Sequence, residues 1–122
     1  MFSVKRFPAF ERSLRDVLRK YGKSSESINK VIENIVKNPK IGNVCSGYDN
    51  LEIRKERIPL KEYNIGQSKG GVRLIFWIID KNVVPIHIYC KTDFRTEAKA
   101  KTDILLNLKE ILSEIRQLPP TN

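Results

Sequence analysis

The residues of this chain best suited to chemistry are cations set among apolar neighbours. Arg73 interrupts the run Val72-Arg73-Leu74-Ile75-Phe76-Trp77-Ile78-Ile79. A lone cation in such a strand is costly if buried without a partner, so Arg73 must open onto a site or pair with an acid. Lys55 and Arg57 stand on an upstream strand, and Lys69 makes the connection between the two strands cationic. Ammonium and guanidinium groups neutralise phosphate directly, and Arg keeps its charge in any surroundings. On the plainer reading, Lys55 and Arg57 are charges that protect an edge strand from unwanted pairing. Arg12, Arg15 and Arg19 form a further stripe, opposite the apolar face of a helix, which suits either solvation or a polyanion.

Other reactive types are sparse. His87 is the only histidine, stands at no recognised ligand spacing, and reads as a packed strand residue. Cys45 and Cys90 share no CxxC spacing, which favours two reduced thiols over a zinc site or a disulfide framework. Phe76 and Trp77 read as core. Tyr48 and Tyr63, in loops flanking the basic strand, are better placed to stack on bases, or are plain surface aromatics. Paired carboxylates at a catalytic spacing, a P-loop, a dinucleotide fingerprint and a Ser/His/Asp set are absent as motifs, and no metal or cofactor is expected.

The chain that carries these groups has 122 residues, enough for a single domain spanning 1–122. Lys and Arg number 23 against 14 Asp and Glu, a net charge of +9, while hydrophobic residues make up 40%, enough for a core. No run approaches the roughly 18 apolar residues of a membrane span, and the first residues lack a secretory apolar stretch, so a cytoplasmic protein is expected.

The elements follow from periodicity. Pro8 opens a helix whose apolar face is Phe10, Leu14, Val17, Leu18 and Tyr21, ending at Gly22. Ser24 or Ser25 is expected to cap a second helix carrying Ile28, Val31, Ile32, Ile35 and Val36, so the two form an antiparallel hairpin. Residues 39–50 read as a loop. Residues 51–58 read as a strand whose poor alternation calls for a bulge or shift near Glu56. Residues 72–79 read as a central strand, turning at Asp80-Lys81-Asn82 into a last strand in which Pro85 implies an unpaired side or a bulge. Ile104, Leu105, Leu108, Ile111, Leu112, Ile115 and Leu118 line a final helix, capped by Thr96 or Thr102, and a short first strand is possible at residues 2–6. Helices and strands in separate runs make an α+β fold.

Lys55-Glu56-Arg57-Ile58-Pro59-Leu60, then Gly70-Gly71-Val72-Arg73-Leu74-Ile75-Phe76-Trp77, then Ile88-Tyr89-Cys90-Lys91-Thr92-Asp93 resemble the RelE/HigB-type toxins of bacterial type II toxin–antitoxin modules. The resemblance spans nearly the whole chain, and its specific part is residues 55–93. It implies a helical hairpin packed on a small twisted antiparallel sheet, with an additional C-terminal helix. It also implies cleavage of mRNA on the ribosome without a metal, and inhibition by a cognate antitoxin. By position, Lys55 and Arg57 match the family's basic pair, Arg73 the arginine opening the third strand, and Lys91 the lysine closing the fourth. The chain departs from the family in having Thr92 after Lys91, where relatives carry an arginine, and no tyrosine in the C-terminal segment. Arg95 is the candidate substitute for that arginine, and Tyr89, on a strand, is not read as the tyrosine's equivalent.

The implied chemistry is in-line attack of a ribose 2′-OH. It needs neutralisation of the crowded phosphate by Arg57 and Arg73, and proton transfer in which Lys55 or Lys91 takes part. Arg12, Arg15, Arg19, Lys69 and Arg95 are the expected RNA contacts beyond that centre. A ParE-like gyrase inhibitor, which lacks the basic cluster, and a noncatalytic RNA- or protein-binding module of the same fold are the competing readings.

Overall fold

The computed structural model describes residues 1–65, 71–93 and 97–117. In chain order the elements are β1 (Ser3–Val4), α1 (Pro8–Lys20), α2 (Ser25–Lys37), β2 (Asn43–Val44), β3 (Glu52–Ile58), β4 (Val72–Ile79), β5 (Asn82–Cys90) and α3 (Glu97–Gln117). Short 3-10 turns at Lys61–Tyr63 and Lys91–Asp93 follow β3 and β5. Among the described residues the fold is α+β, with three helices on a five-stranded sheet of order β1-β5-β4-β3-β2. The sheet is mixed rather than antiparallel as expected, because β1 pairs parallel to β5 at Ser3–Asn82 and Val4–Val83.

Both faces of the sheet are covered, and this explains most of the sequence pattern. On one face, Phe10, Leu14 and Val17 of α1 and Ile28, Ile32 and Ile35 of α2 pack with Val72, Leu74, Phe76 and Ile88. On the other, Ile104, Leu108 and Ile111 of α3 pack with Ile53, Ile75, Trp77, Val84 and Ile86. β4 has a core on each side, so an uninterrupted apolar strand is what the architecture requires. For the same reason the bulge expected near Glu56 does not exist. β3 pairs with β4 without interruption from Glu52–Ile78 to Ile58–Val72, and regular alternation sends Ile53 to the α3 side and Ile58 to the α1/α2 side. The irregularity lies between β4 and β5 instead, where Ile75 faces His87 but Phe76 faces Pro85. A residue without an N–H is tolerated at such a bulge, as Pro85 led us to expect.

α1 starts at Pro8 and stops at Tyr21, whose N–H donates to the Val17 carbonyl at 2.8 Å. It runs beside β5, where the Ile88 N–H donates to the buried Ser13 hydroxyl at 3.2 Å, and this hydroxyl donates to the Phe10 carbonyl at 2.8 Å. Ser24 is the residue before α2, yet its hydroxyl donates backwards to the Tyr21 carbonyl at 2.6 Å instead of capping the helix. α3 begins by Glu97, so Thr102 is not its cap; its hydroxyl donates to the Ala98 carbonyl one turn back, at 3.1 Å, and Thr96 lies outside the described residues. Leu105 is 44% exposed, off the buried stripe, and Leu118 lies outside the described residues. Among the described residues no helix is long and apolar enough to cross a membrane.

Candidate functional site

The site begins with strand register. Along β3, Ile53, Lys55 and Arg57 fall on the face that α3 covers, since alternate residues share a side. Arg57 stands opposite Arg73, which stands opposite Tyr89, and two rows along, on the same face, Lys55, Ile75 and His87 are aligned. Three strands therefore bring two arginines and a phenol into one cross-strand row. α3 leaves this end of the sheet open as a cleft of about 400 Å³, lined by Asn43, Val44, Cys45, Ser46, Tyr48, Lys55, Arg57, Ile75, Tyr89, Ala100, Lys101 and Ile104. Three of these side chains are cations and two are phenols. No carboxylate is among the described lining residues, so the cleft is suited to an anion.

The cleft's outer wall depends on two features of residues 40–47. Gly42 has φ +84°, and a Cβ there would sit 2.5 Å from the Lys55 carbonyl oxygen, so only glycine lets β2 approach β3 this closely. On the opposite face Arg54 clamps the same loop, donating to the carbonyls of Lys40 at 3.1 Å and Gly42 at 3.3 Å while its Nε lies 2.8 Å from Glu52. Residues 39–50, expected to be loop only, thus contain the short strand β2.

Arg73 is buried, 4% exposed, and does not line the cleft. Its Nη1 donates to the Val72 carbonyl at 3.5 Å. Burial and then the charge of Arg57 lower its pKa, opposed by Tyr89, but an arginine remains charged throughout the physiological range. Its position opposite Arg57 on the neighbouring strand adds positive potential to the row. Lys91 is exposed in the turn after β5, with its N–H on the Gly71 carbonyl at 3.2 Å, and does not line the cleft.

The α1 stripe is not brought to this site. The α1 helix packs beside β5, two strands from β3, and Nη2 of Arg12 reaches both carboxylate oxygens of Glu110 on α3, at 2.6 and 2.7 Å. That hydrogen bond raises the Arg12 pKa. Arg19 pairs with Asp16 at 2.9 Å, and Arg15 is exposed. Lys69 and Arg95 lie outside the described residues.

Two aromatic placements change, and one cleft cation, Lys101, was not singled out from sequence. Tyr48, expected at the surface, is 8% exposed and belongs to the α3-side core, where burial, Cys45 and Tyr89 push its pKa up to about 12 and keep it a neutral phenol. Tyr63 is not a free stacking platform either: it packs edge-to-face with Tyr21 at 5.0 Å and accepts the Lys23 N–H at 3.0 Å. Lys101 did carry a signal. It lies three residues before Ile104 and so extends the buried stripe of α3 as a charge. His87 is buried, stacks on Tyr89 at 5.5 Å, and its Nδ1 lies 3.0 Å from the Asn107 amide nitrogen, as a packed strand histidine should.

A second groove, about 560 Å³, lies between α2 and the turn at Lys61–Tyr63; Glu26, Lys30, Lys61 and Glu62 give it both signs of charge. Among the described residues no group of three His, Cys, Asp or Glu side chains could hold a metal. No protein-family model matches the chain, and no curated protein matches it by sequence.

Proposed function

We propose that the protein is the toxin of a type II toxin–antitoxin module, a metal-independent, ribosome-dependent mRNA endonuclease of the RelE/HigB type. The observation that carries this reading is the cross-strand row of Arg57, Arg73 and Tyr89, with Lys55 on the same face, beside a cleft lined by cations and free of carboxylates among the described residues. In-line attack of a ribose 2′-OH builds negative charge on the scissile phosphate, and preorganised cations stabilise that charge most when they are already in place. Arg57 and Lys55, which line the cleft, make the direct contact in this reading. Arg73 strengthens them from the neighbouring strand, and Lys91 lies at the same end of the sheet, after β5. In this reading Tyr48 and Tyr89, the phenols that line the cleft, serve the leaving 5′-oxygen in place of the tyrosine absent from the C-terminal segment.

The test is inducible expression of the wild type and of Arg57→Ala, following growth together with the 5′ ends of cellular mRNA, and repeated with purified protein and translating ribosomes. Growth arrest with new mRNA 5′ ends, lost in Arg57→Ala, supports the proposal. Intact translated mRNA with the wild-type protein overturns it. The burial of Arg73 favours one second reading, a noncatalytic RNA-binding module, which the same assay identifies as ribosome or RNA binding without cleavage.

A further inference from the structure

The third cation of the cleft comes from a different layer of the molecule. Lys101 reaches from the second turn of α3 so that its Nζ lies 5.5 Å from the centre of the Tyr48 ring, a cation–π distance. The loop makes room for it: Gly47 has φ +90°, and a Cβ there would be only 2.5 Å from the Lys101 Nζ. Ala100 and Ile104, the neighbours of Lys101 on the helix, line the same cleft. Lys55, Arg57 and Lys101 therefore converge on one space, with no acidic side chain among its described lining residues. Like charges gathered in this way repel one another, and a bound polyanion relieves that repulsion.

We infer that Lys101 is a further phosphate-binding residue, and that single-stranded RNA is gripped between α3 and β3. This rests on the functional reading above and extends it, because it makes the C-terminal helix part of the RNA-binding surface. The Tyr48 ring is the surface against which the ammonium is held, which limits the number of positions the flexible lysine side chain samples before RNA arrives.

The experiment measures binding of a short 2′-O-methyl oligoribonucleotide, which cannot undergo 2′-OH attack, to the full chain over a range of salt concentrations. Lys101→Ala is compared with Lys101→Arg and with Lys109→Ala, an exposed α3 cation outside the cleft lining whose removal changes net charge equally. Each phosphate contact to a single strand contributes about −0.7 to the log–log salt slope, so Lys101→Ala is expected to flatten it by about 0.7. Lys101→Arg should retain the wild-type slope, and Lys109→Ala should leave it unchanged. Equal behaviour of Lys101→Ala and Lys109→Ala overturns the inference, because only net charge then matters. Wild-type cleavage of translated mRNA in the assay above, combined with that equality, removes Lys101 from the RNA surface and leaves the functional proposal standing. Failure of wild-type cleavage combined with a flattened slope in Lys101→Ala removes the endonuclease proposal and leaves Lys101 as a phosphate contact of a noncatalytic RNA-binding module.

Discussion

Arg57 and Arg73 face each other across two paired strands, an arrangement that opposes folding unless it is offset. Arg57 is exposed and Arg73 is buried, so their substitutions test different things. Arg57→Ala removes a cation that lines the cleft and is expected to slow mRNA cleavage about a hundredfold, roughly 3 kcal/mol of transition-state stabilisation, with no loss of thermal stability. Single-turnover cleavage on programmed ribosomes gives the first number and a melting curve the second. His87 supplies a pH prediction. Burial holds its pKa below the ordinary 6.5, only partly opposed by the charges of Asp103 and Asp16. As pH falls through the unfolded value the unfolded chain takes up a proton that the native state does not. Stability attributable to His87 therefore declines below about pH 6.5 and levels off beneath the native pKa. Urea unfolding midpoints measured at about pH 7.5 and about pH 5.5 should show a smaller acid loss in His87→Gln than in the wild type, and equal losses would place the acid sensitivity elsewhere.

The elements that carry the site show why some of it was legible and some was not. β4 could be read as central because its apolar run leaves no polar face, and α1 because Pro8 and the spacing of Phe10, Leu14 and Val17 agree. β2 could not, since two residues paired to β3 carry no periodicity of their own. The false bulge at Glu56 came from assuming one buried face where there are two. Lys55, Arg57 and Arg73 were visible as charges on strands, but the cross-strand row that joins Arg57 and Arg73 to Tyr89 depends on register, which no single strand reveals. Tyr48 was misplaced because loop sequences do not show which side chains fold back onto a core. Two substitutions test these placements. Ser13→Ala strands the buried Ile88 N–H and should cost about 1–3 kcal/mol in denaturant unfolding. Gly42→Ala sets a Cβ against the Lys55 carbonyl and demands a positive φ of a residue that resists it. It should detach β2 and weaken RNA binding while the helices persist, which amide exchange of residues 43–44 and circular dichroism report separately.

For the molecule as a whole, a charge of +9 over 122 residues makes association with any polyanion sensitive to salt. If about five phosphates of a single strand are contacted, the log–log slope of affinity against salt should be near −3.5, and a flat response would discard nucleic acid as the partner. On the proposed reading the same charge suits an antitoxin with an acidic or amphipathic segment, and co-purification from the native operon is the measurement that checks for one. The Asn107 side chain ties the two layers beneath the cleft together: its amide donates to the Ile86 carbonyl at 3.1 Å and meets the His87 ring at the β5 bulge. An apolar stripe of Ile104, Leu108 and Ile111 is nearly self-similar under a slide of one helical turn, about 5.4 Å. A polar contact fixed at one point of the sheet is not, so Asn107 acts as an indexing pin that selects a single axial stop for the helix. Asn107→Leu should keep the helical content yet free α3 to occupy more than one stop, splitting or broadening the methyl resonances of Ile104, Leu108 and Ile111.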